Sequence, residues 1–168
     1  MTAREPRPPY VDRRLRVERL VRAEPQVVFD LLADPYRHHV IDGTNTLTGQ
    51  VRGPGRLFSG ATFTMGMKMG PIPYRTTNTV VDFEESSRIA WQTAARRRGR
   101  IVMGGQVWAY ELEPRPEHST LVRASYDWSG AMRPEWTIER LGMPERARAA
   151  LVATLDRLAD HLEGREQR

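Results

Sequence analysis

The C-terminal part of the chain, residues 143–163, carries the pattern that most limits what this sequence can fold into. A stripe of leucines at spacings of four, three and four residues lines one side of an α-helix: Leu151, Leu155, Leu158 and Leu162. Pro144 and Glu145 suit the first turn of that helix, and Gly164 is a typical stop. At about 1.5 Å per residue the helix is roughly 30 Å long. It therefore crosses a whole small domain and needs a broad apolar surface beneath it.

The composition limits the class of protein further. The 168 residues include 39% hydrophobic residues and no cysteine, so disulfides and thiolate chemistry are excluded. No apolar run reaches the length of a membrane span, and the N-terminus lacks the apolar core of a signal peptide. We therefore expect a cytoplasmic protein with one domain and no integral membrane segment.

The charge pattern bears on the choice of partner. The net charge is +5, and the basic residues are almost all arginine, with Lys68 as the single lysine. Such a bias is more typical of the base composition of a genome than of a surface that binds phosphates. We therefore predict no nucleic-acid partner. The arginine cluster in residues 96–100 is predicted to be a solvated hairpin tip, with binding of an acidic partner or anionic lipid as the alternative.

The rest of the chain has the pattern of strands, with a short helical segment near the start. Residues 1–11 contain three prolines and predict a flexible tail. Residues 13–22 alternate apolar and charged positions, which predicts a half-buried strand, and Pro25 and Asp34–Pro35 each suit the start of a short helix. This order predicts an α+β fold, in which the terminal helix covers the dry face of an antiparallel sheet. Six further strands are predicted, in residues 46–51, 61–69, 74–84, 88–93, 106–113 and 120–128.

Three segments of the sequence carry a resemblance to a known family. They are VVFDLLADPYRHHVIDG after the first strand, PGRLFSGATFTMGMKMGPIPYR, and the terminal LGMPERARAALVATLDRLADHLE. Over residues 13–163 the chain resembles the START-like, or SRPBCC, superfamily, and in particular its polyketide cyclase/dehydrase-like branch. The resemblance implies a helix-grip fold, in which a curved antiparallel sheet of about seven strands wraps around the long helix and leaves a cavity. It also implies that residues 12–164 form a ligand-binding domain.

Large aromatic and methionine side chains fall on the strand faces that we expect to point inward. Aromatic rings with a polar tip suit a ligand pocket, and methionines adapt to irregular ligand shapes. Each residue alone is more typical of an ordinary core, but as a set beneath one helix they favour a cavity of several hundred cubic ångströms. Small helix residues such as Ala150 leave room, and Asn78 adds a polar group. The predicted ligand-binding residues are Phe63, Met65, Met67, Tyr74, Trp91, Trp108, Tyr110, Tyr126, Trp128, Met143, Ala147 and Leu151.

The candidate catalytic residues are His38, His39 and Asp42. A histidine beside a carboxylate is the usual start of a general base, and this spacing allows them to share a helical face. Asp42 is equally explained as a turn-closing residue ahead of Gly43, and paired histidines at a helix end often stay solvated. Because adjacent histidines point in different directions, we predict no metal site, and we expect no cofactor.

Two functions from different classes follow from the predicted cavity. In the first, the protein holds a small hydrophobic molecule, such as a lipid, polyketide or isoprenoid, as a carrier or sensor. In the second, it is a polyketide cyclase or aromatase that acts on such a molecule. A buried acid or base on the cavity wall would distinguish the second from the first. A protein-binding module is a third interpretation, which requires a large exposed apolar patch. The sequence leaves open whether the protein forms a homodimer.

Overall fold

The computed structural model describes residues 12–98, 100–132 and 135–166, and the tail predicted in residues 1–11 lies outside them. Within these residues a single antiparallel sheet has the strand order β1-β7-β6-β5-β4-β3-β2. The strands are β1 (Arg14–Val21), β2 (Leu47–Arg52), β3 (Thr62–Met69), β4 (Ile72–Glu84), β5 (Arg88–Arg97), β6 (Arg100–Arg115) and β7 (Ser119–Asp127). The helices are α1 (Pro25–Leu32), α2 (His38–Ile41), α3 (Glu135–Arg140) and α4 (Met143–Glu166). The predicted α+β helix-grip architecture is confirmed.

The first strand returns to the far edge of the sheet rather than pairing with its sequence neighbour. β1 runs antiparallel to β7, from the pair Arg14–Asp127 to the pair Val21–Thr120. Its alternation is as predicted, because Leu15 and Val21 are buried while Arg14 is exposed. β2 to β7 follow as consecutive hairpins. The sheet thus presents one continuous inner face to the helices.

The long helix α4 packs against β1 and β7, with its leucine stripe turned inward. Leu155, Leu158 and Leu162 are almost fully buried. Val152 is 39% exposed, because it lies one residue (about 100°) around the helix from buried Leu151. None of the described helices has the length and apolar character needed to cross a membrane.

The segment between β1 and β2 forms the two short helices that the prolines predicted, with a single 3-10 turn between them. Pro25 occupies the first turn of α1, and the Asp34 carboxylate accepts the Tyr36 N–H at 3.0 Å ahead of the 3-10 turn. α1 buries Phe29 and Leu32 beneath the sheet. This arrangement delivers α2 and the residues after it to the underside of α4.

Strand bounds differ from the prediction where the sheet bends. β6 begins at Arg100 rather than near residue 106. Gly104 and Gly105 adopt positive φ at an irregularity where β5 and β6 change register, and the two strands pair on both sides of it. A side chain at Gly104 would place its Cβ 2.5 Å from the Thr93 carbonyl oxygen, so the bend requires glycine there. Pro73, predicted to break a strand, is the second residue of β4, a position where proline is tolerated. Helix α3 was not predicted.

Candidate functional site

A cavity of about 240 Å³ lies between the first half of α4 and the inner face of strands β3 to β7. An apolar protein cavity of about 150 Å³ can hold benzene, so this space accommodates a larger molecule. A second cavity of about 380 Å³ shares Thr76, Thr93, Gln106 and Met143 with it. The first volume is smaller than predicted, because ligand pockets usually begin at about 300 Å³, and the second volume lies within that range. Eight of the predicted ligand-binding residues line the first cavity: Met65, Met67, Trp91, Trp108, Tyr110, Tyr126, Met143 and Leu151.

Four predicted ligand-binding residues do not line this cavity. Phe63, Trp128 and Ala147 are buried behind its wall, where Trp128 stacks on Tyr126 with ring centroids 5.6 Å apart. The prediction for Tyr74 is wrong, since its side chain is 42% exposed. Tyr74 has the same strand parity as the inward residues further along β4, but it lies near the β3–β4 turn. Tyr74 is the third residue of β4, at an end of the strand that lies outside the cavity wall.

The aromatic rings of the wall contact one another in two groups. Trp91 lies 5.6 Å from Tyr110 and stacks on the His38 ring at 5.0 Å, measured between centroids. Trp108 lies 4.6 Å from Tyr126, which in turn stacks on Trp128. Contacts of this kind restrict ring rotation, so the wall is largely preformed.

A row of polar side chains crosses the same wall, and sequence reasoning found only one of its members. The strand register places Asn78 of β4 beside Thr93 of β5, and Thr93 beside Gln106 of β6. All three line the cavity. The period-two alternation of β4 already indicated a polar site in the sequence, because Thr76 and Asn78 occupy inward positions that usually hold apolar residues.

Asn78 has an incomplete set of hydrogen bonds. Its side chain is 3% exposed, and its Oδ1 accepts the Thr93 hydroxyl at 2.6 Å. Its Nδ2 is buried and has no hydrogen-bond partner in the part of the chain that the structure describes. An unpaired buried donor costs about 1–3 kcal/mol, and such groups in native proteins call for a specific explanation.

His38 is a buried, neutral member of the wall. Its Nε2–H donates to the Leu32 carbonyl at 2.8 Å. Burial lowers the pKa of His38, and the Leu32 hydrogen bond and the charges of Asp34 and Asp42 offset this only in part. With Nε2 protonated and the ring uncharged, Nδ1 carries the lone pair and is the acceptor of this side chain.

Asp42 and His39, the other two candidate catalytic residues, differ from His38 in their surroundings. The Asp42 carboxylate closes the turn that follows α2, and His39 is exposed. Oδ1 of Asp42 accepts the N–H and the hydroxyl of Thr44 at 2.9 and 2.6 Å. Oδ2 accepts the N–H groups of Thr46 and Leu47, both at 2.9 Å. The carboxylate lone pairs are thus occupied by three backbone N–H groups and the Thr44 hydroxyl. The described residues contain no group of three metal-ligating side chains.

The turn after α2 is fixed against the middle of α4. Gly43 donates its N–H to the Thr154 hydroxyl at 3.0 Å, and a Cβ on Gly43 would lie 2.1 Å from the Ala150 carbonyl oxygen. Arg157 donates to the Asp42 carbonyl and, at 2.7 Å, to Oδ1 of Asn45. These contacts mark the point on α4 where the cavity ends.

The two wall tyrosines are both uncharged at neutral pH. Burial, and to a smaller extent the charge of Asp42, raises the pKa of Tyr110 well above its ordinary value. Burial raises the pKa of Tyr126 to about 12, and a hydrogen bond from the Gln106 side chain acts in the opposite direction. Both hydroxyl groups are therefore able to donate and accept hydrogen bonds.

Comparison with solved structures shows the same fold in several proteins. A protein from Nitrosomonas europaea, NE0264, superimposes with a TM-score of 0.70 at 15% identity and covers 95% of this chain and 99% of its own. Ginseng major latex-like protein 151 from Panax ginseng does so with a TM-score of 0.62 at 14% identity, covering 88% and 95%. The Aha1 dimer from Colwellia psychrerythraea has a TM-score of 0.56 at 15% identity, covering 89% and 96%.

Sequence comparison identifies closer relatives. The chain is 29% identical over 136 residues to the uncharacterized protein Rv0088 of Mycobacterium tuberculosis, a match that covers 79% of this chain. The match spans 57% of the length of that relative. Residues 12–163 match the sequence profile of the polyketide cyclase/dehydrase and lipid transport family. The chain therefore belongs to the polyketide cyclase/dehydrase and lipid transport family, within the SRPBCC superfamily.

Proposed function

We propose that this protein binds a small, largely apolar molecule in the cavity beneath α4, as a carrier or sensor. The observation that supports this most is the space itself, in a wall of contacting aromatic rings that also holds a buried amide nitrogen without a partner among the described residues. A core selected only for stability fills such a space and pairs such a group. The lipid-transport part of the family description supports the same function.

The character of the wall supports an apolar ligand. Met65, Trp91 and Leu151 supply apolar surface, and the thioether of Met67 is flexible enough to follow an irregular ligand. The polar groups converge at a few points, as is usual in sites that orient a small molecule. A lipid, polyketide or isoprenoid fits this description.

Filling the cavity tests the proposal directly. Ala150 lines the cavity, and its neighbour Ala149 is exposed on the same helix. Titration with the neutral fluorophore N-phenyl-1-naphthylamine is expected to show saturable binding to the wild-type protein. The Ala150→Leu substitution is expected to weaken binding about tenfold or more, because the added side chain occupies ligand space.

The matched control is Ala149→Leu, which adds the same side chain to the solvent side of α4 and is expected to leave binding unchanged. Thermal melts of both variants establish that each is folded. Equal binding by both variants, or absence of binding to wild type, contradicts the proposal.

A cyclase or aromatase activity is the second candidate, and the observation in its favour is His38. This histidine lines the cavity and keeps one ring nitrogen free of the Leu32 hydrogen bond. A base of this kind, aimed at a bound carbonyl compound, removes an α-hydrogen. The test is exchange of the α-hydrogens of 2-decanone in D₂O. Exchange that depends on the protein and disappears in His38→Gln supports an enzyme, whereas binding without exchange supports a carrier.

A homodimer stays a prediction for this chain. The Aha1 protein with the same fold forms a dimer in solution, at 15% identity.

A further inference from the structure

We propose that the ligand is an uncharged molecule with a hydrogen-bond-accepting oxygen, such as a ketone, ester or ether, and that Asn78 is the residue that recognises this oxygen. This inference rests on the proposed function, because it names the chemical class of molecule that the cavity takes. It assigns the recognition to a donor on the sheet, and not to the histidines or Asp42.

The position of Asn78 places its amide inside the cavity. Asn78 is on β4, with Phe63 of β3 on one side and Thr93 of β5 on the other. Its side chain is on the inner face, lines the cavity, and is almost completely removed from bulk water. An acceptor that pairs with Nδ2 therefore has to belong to the molecule that occupies the cavity.

The hydrogen bonds around Asn78 determine which kind of group fits. The Thr93 hydroxyl donates its single hydrogen to Asn78 Oδ1, which fixes the orientation of the amide. Nδ2, which carries two hydrogens and has no partner among the described residues, then points away from Thr93. The group that completes this arrangement is an acceptor oxygen. A pure hydrocarbon leaves the donor unpaired.

The charges around the cavity favour a neutral ligand. The described residues of its wall include no lysine or arginine to neutralise an anion, and Arg75, which lines the second cavity, is exposed to solvent. Asp42, the one carboxylate of that wall, already accepts four hydrogen bonds and has no lone pair left for a cation. A buried ion without a partner is strongly disfavoured. A carbonyl or ether oxygen on an apolar skeleton meets all of these conditions.

The composition of the chain offers an unusually direct test. The sequence contains two asparagines, Asn45 and Asn78. Selective ¹⁵N labelling of asparagine side chains therefore produces two pairs of NH₂ signals in an NMR spectrum, one pair for each residue. Asn45 is exposed, and Arg157 contacts its Oδ1, so its signal is an internal control outside the cavity. An Asn45→Gly variant, which suits the positive φ of that position, assigns the pair.

The ligands for the titration are 2-decanone, decane and decanoate, which share a chain length and differ in the polar group. We expect 2-decanone to shift the Asn78 side-chain amide hydrogens downfield while the Asn45 signal stays in place. Decane is expected to bind about tenfold more weakly and to give no downfield shift, because it offers no acceptor. Decanoate is expected to bind more weakly than 2-decanone.

Substitution supplies the second readout. Asn78→Leu keeps the branching of the side chain at Cγ but removes the donor, and it is expected to abolish the preference for 2-decanone over decane. Thr79→Val is the matched control, on the same strand and outside both cavities, and is expected to keep the preference. The NMR titration of the wild-type protein needs no variant, so a folding defect in Asn78→Leu does not weaken the test.

The outcomes separate this inference from the proposed function. If no compound binds, the cavity proposal fails and this inference fails with it. If 2-decanone and decane bind equally well, or if 2-decanone binds without moving the Asn78 signal, the cavity proposal stands and the role of Asn78 is overturned. Tighter binding of decanoate than of 2-decanone contradicts the neutral ligand.

Discussion

The two halves of helix α4 cover the same sheet in different ways. The second half is a closed core, in which Leu155, Leu158 and Leu162 are nearly fully buried. Its outer side is tied to β1 by Arg19, which pairs with Asp156, and by Glu163, which accepts the Arg22 N–H at 3.1 Å. The first half covers the cavity of about 240 Å³ and lines it with Met143, Ala150, Leu151 and Thr154.

This difference separates stability from function along one helix. The leucine stripe continues at a regular spacing, but only its C-terminal part is matched by apolar residues that fill the space opposite. Toward the N-terminus the opposite wall contains the polar row Asn78, Thr93 and Gln106. The contact of Gly43 with α4 lies between the two halves. Perturbations of the second half should therefore change stability most, and perturbations of the first half should change binding most.

The largest effect is expected from truncating the leucine stripe. Leu158→Ala should lower the free energy of unfolding by about 2–5 kcal/mol, as is usual for a fully packed leucine. Leu151→Ala should cost at least about 1 kcal/mol less, because Leu151 already faces empty space and loses fewer contacts. Urea denaturation of both variants measures the difference. Equal losses would show that the two halves are packed alike.

A smaller effect is expected at the boundary between the halves. Gly43→Ala places a methyl group within 2.1 Å of the Ala150 carbonyl oxygen and 2.6 Å of the Thr154 nitrogen. The turn must move away from α4, which should cost about 1–3 kcal/mol. Gly55→Ala is the control, since nothing lies within 4 Å of its added methyl group, and it should be nearly neutral. A harmless Gly43→Ala would mean that the turn is not fixed to the helix.

The smallest expected effect is a pH dependence of stability that arises from His38 in the cavity wall. The pKa of His38 in the folded protein is lowered from 6.5, chiefly by burial. The unfolded chain therefore binds the proton more readily, and the stability contributed by neutral His38 is present above about pH 6.5 and lost as the pH falls below it. The expected slope is at most about 1.4 kcal/mol per pH unit.

Denaturation of wild type and His38→Gln between pH 7 and 5 isolates this slope, because the other histidines are common to both proteins. Direct NMR titration of the His38 ring should give a pKa below 6.5. A value above 6.5 would place a charged histidine in the wall and contradict the neutral cavity.

Much of the fold was predictable because its determinants are local. The alternation of Leu15, Val17 and Val21 with arginines predicts β1, and Pro25 and Asp34 predict where the short helices start. The leucine spacing predicts α4. The family resemblance implied the helix-grip arrangement, which the sheet order confirms.

The site was less predictable because its properties depend on contacts between distant residues. Asn78 was recognisable in the sequence as a polar residue. The orientation of its amide, however, is set by Thr93 of another strand, and only the structure shows that Nδ2 has no partner among the described residues. Asp42 was ambiguous until its hydrogen bonds to the following turn were known. Tyr74 has the inward parity of its strand and is nevertheless exposed, since parity does not indicate where the covering helix ends.

Ligand-accessible space beneath the first half of α4 is the basis of the proposed function, and xenon tests for this space without knowledge of the natural ligand. A crystal of the protein pressurised with xenon should show xenon between Leu151 and the ring of Tyr110, and none between Leu158 and β1. Xenon absent from the first region, with the aromatic wall collapsed onto the helix, would contradict the account.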